Sequence, residues 1–252
     1  MRGMEQYYVD DYELFIYKPD ISPPPDGFPV IYVLDGNAYF HMMADMIRLQ
    51  SRRQAKTGIM PAIVCAVGYP GEAAFHPRRF WDYTPQKDTL SMPVRPNGLS
   101  WPESGGAEEF HCTLENTIKP FVEARYPVDT LKQTLFGHSL GGLFTIYALY
   151  TKPDAYQHYI ALSPSLWWNR SLMEGLEHNF LNQSAANDQR LFMAAGSEEK
   201  EHILKDAADL YARLQDSNKV KIAYLEVPGE NHSSVVPTVM SRALRYINKE
   251  IE

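Results

Sequence analysis

The sequence predicts an α/β protein with a mostly parallel central sheet and helices on both faces. Three observations carry that reading. Short apolar, strand-like runs alternate with segments of helical period. Four of those runs, Val30–Leu34, Ile63–Val67, His158–Leu162 and Leu191–Ala195, are apolar along most of their length, as buried strands are. The chain has 252 residues, a length that one such sheet uses as a single domain.

In chain order, residues 7–17 carry aromatic and β-branched side chains and predict one early, antiparallel strand. Pro23-Pro24-Pro25-Asp26-Gly27 is a turn cluster. The strand ending at Leu34 stops at Asp35-Gly36, and the strand ending at Val67 stops at Gly68-Tyr69-Pro70. Residues 70–107 are rich in Pro, Gly and charge without a clear period, and predict a functional loop or a partly helical cap segment. Phe110, Leu114, Ile118 and Phe121 place a helix over about 108–124. Gln133–Phe136 is a short strand, and Leu140–Leu149 is apolar nearly all round, as a buried central helix is. Residues 165–189, with Trp167 and Trp168, read as a second cap or a covering helix. Ile203, Ala207, Leu210 and Leu214 mark an amphipathic helix, Val220–Tyr224 a strand, and the last helix runs from about Pro237 to Ile247.

Net charge is −7, which argues against a nucleic-acid binder working through a basic face. Two cysteines in a chain of this length do not build a disulfide framework, and Cys65 sits in a buried strand. The N-terminus has no apolar signal core, and no run approaches the ~18 apolar residues a membrane span needs. The expectation is a cytoplasmic protein with no membrane span, no nucleic-acid partner, no metal and no cofactor.

Gly137-His138-Ser139-Leu140-Gly141 has the form G-x-S-x-G, a pattern short enough to occur by chance, so its context decides. A strand enters it and a helix leaves it, as the nucleophile turn of an α/β-hydrolase fold requires. There the serine sits on a strained corner above the sheet, and glycines two residues either side let strand and helix approach. Ser139 is the candidate nucleophile.

A serine hydroxyl needs an imidazole to take its proton, and this fold supplies it after the last strand. Of the histidines after Ser139, His158 begins a strand, His178 lies in a polar stretch and His202 falls on a helix. Only His232 lies in the loop between the final strand and helix, and it is the candidate base. The acid belongs in the loop Gly196–Glu201. Glu199 is favoured and Glu198 is the alternative, Glu201 reads as a helix-start acid, and a Ser–His dyad without an acid stays open. The oxyanion needs two donors. One is the backbone N–H of Leu140, and the other comes from Asp35–Ala38, with Asn37 preferred and Gly36 next.

Leu34-Asp35-Gly36-Asn37, Gly137-His138-Ser139-Leu140-Gly141-Gly142, Ser163-Pro164-Ser165-Leu166-Trp167-Trp168-Asn169 and Gly229-Glu230-Asn231-His232 resemble the putative esterase (esterase D-like) family of α/β-hydrolases. They look nearest to its siderophore trilactone esterases, which open enterobactin, salmochelin or bacillibactin. The resemblance runs from about residue 28 to the C-terminus. It implies a serine esterase that cuts a tri-serine lactone so that iron can be released. The family varies in its acid and includes dyads. The expectation is a chain without the extra N-terminal domain of the larger enterobactin-type members.

Arg78-Arg79-Phe80-Trp81-Asp82-Tyr83 also resembles a family segment near the cleft. Arg78 and Arg79 facing the pocket would suit an anionic ferric catecholate, and Tyr69, Trp167 and Trp168 would give flat walls to aromatic rings. The other reading of the arginines is an ion pair with Asp82 that pins the loop, and that of the tryptophans is packing under a cap. A general carboxylesterase or S-formylglutathione-type thioesterase, and an acyltransferase on the same serine, are the alternative functions.

Overall fold

A computed structural model describes residues 3–88, 95, 98–183 and 188–248. The chain opens as a hairpin, β1 (Met4–Val9) and β2 (Tyr12–Tyr17), where the sequence predicted one strand. Asp10 makes the difference, since its left-handed φ of 50° folds the chain back. Then come β3 (Phe28–Leu34), α1 (Gly36–Gln50), the short α2 (Gln54–Thr57) and β4 (Ile63–Gly68). A four-residue α3 (Arg79–Asp82) interrupts the long loop, and α4 (Ala107–Thr113) begins the next helix.

The helix expected over 108–124 is not one regular α-helix. A π-helical turn, Leu114–Ile118, separates α4 from α5 (Lys119–Glu123). Pro120 accounts for it, because it has no N–H for the carbonyl of Asn116 and its ring crowds that turn. The rest alternates as β5 (Val128–His138), α6 (Leu140–Thr151), β6 (His158–Leu162), α7 (Arg170–Leu181), β7 (Arg190–Gly196), α8 (Glu201–Ser217), β8 (Lys221–Val227) and α9 (Val235–Ile247).

The eight strands form one sheet in the order β1-β2-β4-β3-β5-β6-β7-β8. β1 and β2 are antiparallel to their neighbours, and every pairing from β4 to β8 is parallel. Side chains alternate between two cores. Val30, Tyr32, Leu34, Ile63, Cys65 and Val67 enter the one covered by α4 to α8. Ile31, Val33, Val64 and Ala66 enter the other, beneath α1 and α9. Helix α6 is buried along nearly all its length, as its uniform apolarity predicts. In the 165–189 segment, α7 is a covering helix that sends Met173 and Phe180 into the first core. Parts of the two expected cap segments, residues 89–94, 96–97 and 184–187, lie outside the described residues. Among the described residues no helix is long and apolar enough to cross a membrane.

Candidate active site

Because β3 and β5 to β8 run parallel, the loops leaving them gather along one edge of the sheet. That edge is where α/β sheets bind ligands. It collects Asp35 after β3, Ser139 after β5, Ser163 and Ser165 after β6, Glu199 after β7 and His232 after β8.

Ser139 occupies the corner between β5 and α6 with φ 59° and ψ −115°, a conformation that L-residues rarely adopt. The corner is held by Ser139 N–H donating to Leu162 O (3.0 Å) and by Leu143 and Ser165 N–H donating to Ser139 O (3.0 and 3.1 Å). Its glycines divide the work unevenly. A Cβ on Gly137 would stand 2.1 Å from Gly141 O, and one on Gly142 2.8 Å from Leu162 O. A Cβ on Gly141 would meet its nearest atoms at an ordinary 3.5 Å. Crowding at this turn therefore falls on Gly137 and Gly142.

The loops after β7 and β8 are laced together. Glu198 N–H donates to Glu230 O (2.9 Å) and Gly229 N–H to Ser197 Oγ (2.9 Å). Gly196 permits the approach, since a Cβ there would lie 2.2 Å from Glu230 O. Asn231 then shapes the turn, its side-chain oxygen accepting from Ser233 and Ser234 N–H (2.9 and 3.2 Å). As a result His232 Nδ1 meets Glu199 Oε2 at 2.6 Å. The Glu199 side chain has no solvent exposure, while that of His232 is 39% exposed. Glu199 also accepts from Ser163 Oγ (2.5 Å) and Gly196 N–H (2.8 Å). Burial pushes its carboxyl up, but the hydrogen bonds from His232, Ser163 and Gly196 outweigh that and leave it below its ordinary value. Glu198 is exposed, and Glu201 opens α8.

Ser139 and His232 are not hydrogen-bonded to each other in this structure. Among the described residues, the Ser139 hydroxyl has Ser165 Oγ as its neighbour, at a long 3.4 Å. The two are linked through His138, which precedes Ser139 and whose ring centroid lies 4.5 Å from that of His232.

Asp35, at the start of α1, is left-handed with φ 53°. Its buried carboxylate takes a two-pronged fork from Arg79, Nε to Oδ1 at 2.8 Å and Nη2 to Oδ2 at 2.9 Å. Its own N–H donates to Tyr83 Oη (2.9 Å). The Asn37 side chain clasps the turn after β4, donating to Tyr69 O (2.9 Å) and Gly71 O (3.1 Å) and accepting from Tyr69 N–H (2.9 Å). The expected oxyanion turn is in fact the first turn of α1, whose leading amides have no partner within the helix. The same holds for Leu140 at the head of α6.

Both arginines are committed to carboxylates. Arg79 serves Asp35, and Arg78 meets Asp11 (2.7 Å) and Asp82 (3.3 Å), the pairing that pins the loop. Tyr69 is buried and donates to Asp82 Oδ2 (2.8 Å). Trp168 is fully buried with its Nε1–H on Pro85 O (3.2 Å). Trp167 is half-buried, with Trp101 at 5.6 Å and His202 at 6.2 Å between ring centroids. Sequence reasoning gave no side-chain roles to Ser163, Ser165, Asp35 or Tyr39. The first three lie inside the quoted family segments, and nothing in the sequence marked Tyr39.

An alcohol on a strained strand–helix corner, near an imidazole tied to an enclosed carboxylate, is equipment for acyl transfer to water. On this sheet it defines a serine hydrolase of the α/β-hydrolase fold. Residues 6–236 match the family described as putative esterase, and the chain belongs to it. A ferri-bacillibactin esterase of Bacillus subtilis (strain 168) is 42% identical over 242 residues, covering 93% of this chain and 84% of that protein. A siderophore enterobactin esterase of Emericella nidulans is 32% identical over 249 residues, covering 86% and 81%. The solved structure of the BES protein from Bacillus cereus matches with a TM-score of 0.91 at 40% identity, covering 99% of this chain and 97% of that one. The chain is an ester hydrolase acting on small-molecule esters.

Proposed function

We propose that this esterase hydrolyses the ester bonds of a siderophore trilactone, with Ser139 as nucleophile, His232 as general base and Glu199 as the carboxylate that orients it. The observation that carries the reading is the His232–Glu199 bond. An ionised carboxylate only accepts, so the proton on Nδ1 belongs to the imidazole, and in the neutral ring Nε2 is then left with its lone pair. Rotation of the Ser139 side chain from Ser165 toward His232 completes the pair, since such contacts are often long before substrate binds.

Ser139 Oγ then attacks the lactone carbonyl as its proton passes to His232 Nε2. The oxyanion meets the amides of Leu140 and of the first turn of α1, Asn37 or Gly36. Collapse breaks the C–O bond, His232 returns the proton to the leaving alkoxide, and water repeats the sequence to release the acid.

The aromatic cluster that follows Ser165 in the chain suits an aromatic substrate. Trp101 and Trp167 are only partly buried, and the Arg95 guanidinium, 5.3 Å over the Trp101 ring, brings positive charge to the cluster. A ferric tris-catecholate lactone has that chemistry, and the curated relatives point to the same class. The two free cysteines suit work in the reducing cytoplasm. The test is to incubate the protein with ferric bacillibactin and with p-nitrophenyl acetate and to map a serine-directed phosphonate. Linear products and labelling at Ser139 are expected. An intact lactone with aryl ester turnover would reduce the reading to a general esterase, and labelling elsewhere would overturn the site.

A further inference from the structure

We propose that His138 is a positioning residue that holds the His232 ring in place for Ser139. The proposal rests on the reading of Ser139 and His232 given above. His138 is the last residue of β5, so the strand that delivers Ser139 also fixes His138. Its side chain is buried, and the ring faces that of His232 with centroids 4.5 Å apart and planes tilted by 45°.

On its far side His138 is anchored. Nδ1 lies 2.9 Å from Tyr39 Oη, and the Tyr39 ring packs edge-on against Phe136 at 5.6 Å. A line of contacts therefore runs from α1 through Tyr39, His138 and His232 to Glu199. His232 is gripped twice, by Glu199 at Nδ1 and by His138 against its ring. Without the second grip, a side chain 39% exposed on a loop could turn about its bond to Glu199.

The cost of this arrangement is visible. His138 Nε2 is buried and makes no hydrogen bond of good geometry, although the ring interacts with the His232 backbone. A buried polar atom so poorly satisfied is rare, and an apolar residue would avoid it. The charged or titratable groups around the ring are Tyr39, His232, Arg79 and Glu199. Burial first, then His232 and Arg79, lower the His138 pKa to about 3. His138 therefore stays neutral while His232 takes the serine proton, and it places no second cation beside it.

Three variants separate the parts. His138→Asn keeps an acceptor for Tyr39 but removes the ring, His138→Phe keeps a ring without nitrogens, and Tyr39→Phe removes the anchor. With p-nitrophenyl acetate, H138N should lower kcat about tenfold with KM within about twofold. H138F should recover to within about threefold of the parent, and Y39F should lie between them. The far-downfield proton NMR signal of the His232–Glu199 bond should be sharp in the parent and H138F, and broadened in H138N. A folded H138N with parental kcat, or an H138F as impaired as H138N, would overturn the proposal. Should H138N fail to fold, Y39F decides, since unchanged kcat and an unchanged downfield signal there would overturn it equally. Ser139→Ala is the separating control. If it keeps turnover, the reading of the site fails, and if it is dead while H138N is normal, only the role of His138 fails.

Discussion

His232 gives its Nδ1–H to Glu199 Oε2 across 2.6 Å, and the accepting carboxylate is wholly enclosed while the imidazole reaches solvent. This favours Glu199 over Glu198 as the carboxylate that partners the proposed base. Glu199 points inward because Gly196 N–H and Ser163 Oγ also bind its Oε1, whereas Glu198 is exposed. Glu199→Gln should lower kcat on an aryl ester by about 10²-fold, because the amide no longer fixes the tautomer that leaves Nε2 free. Glu198→Gln should stay within about twofold. Steady-state kinetics at neutral pH check both.

The same carboxylate links stability to pH. Its pKa in the folded protein lies below its ordinary value of 4.5. Between the two values the unfolded chain binds more protons than the native one, so ionised Glu199 favours folding above the ordinary value. That contribution is lost as pH falls through the folded value. Urea midpoints of the parent and of Glu199→Gln should therefore converge as pH falls below 4.5 and on through the folded value. A constant gap would contradict the linkage.

Arg79 and Asp35 form a buried pair with two matched hydrogen bonds. Removing one member strands a charge in the interior, which costs about 3–5 kcal/mol. Arg79→Met should show that loss in urea unfolding. The double variant Arg79→Met with Asp35→Asn should regain a large part of it, because no uncompensated charge remains.

The glycines of the nucleophile corner should separate sharply. Gly137→Ala drives a methyl to 2.1 Å from Gly141 O, so it should abolish folding or cost more than about 4 kcal/mol. Gly141→Ala, with 3.5 Å to its nearest neighbour, should fold and keep turnover. Circular dichroism and phosphonate labelling of both variants check this.

Much of this architecture was legible because local pattern and tertiary role agree. The buried strands declared themselves as apolar runs, and the sequence placed Ser139 at a strand–helix corner and His232 in the last loop, where the structure has them. The turn at Asp10 stayed hidden because its neighbours are aromatic and β-branched on both sides, so one strand and two look alike. Helix α1 was obscured at its start, where the Asp35-Gly36 stop signal coincides with its first turn. The Arg79–Asp35 fork joins residues 44 apart in sequence, and nothing local says which carboxylate an arginine on a loop will meet. The contact between His138 and His232 likewise exists only once the loop after β8 folds back over β5.

The most direct measurement is chromatography with mass spectrometry of ferric bacillibactin after exposure to the parent protein and to Ser139→Ala. The parent should convert the cyclic trilactone to its linear, hydrated form and onward to monomer, and Ser139→Ala should leave it cyclic. A trilactone left intact by the parent, or opened equally well by the alanine variant, would contradict the account.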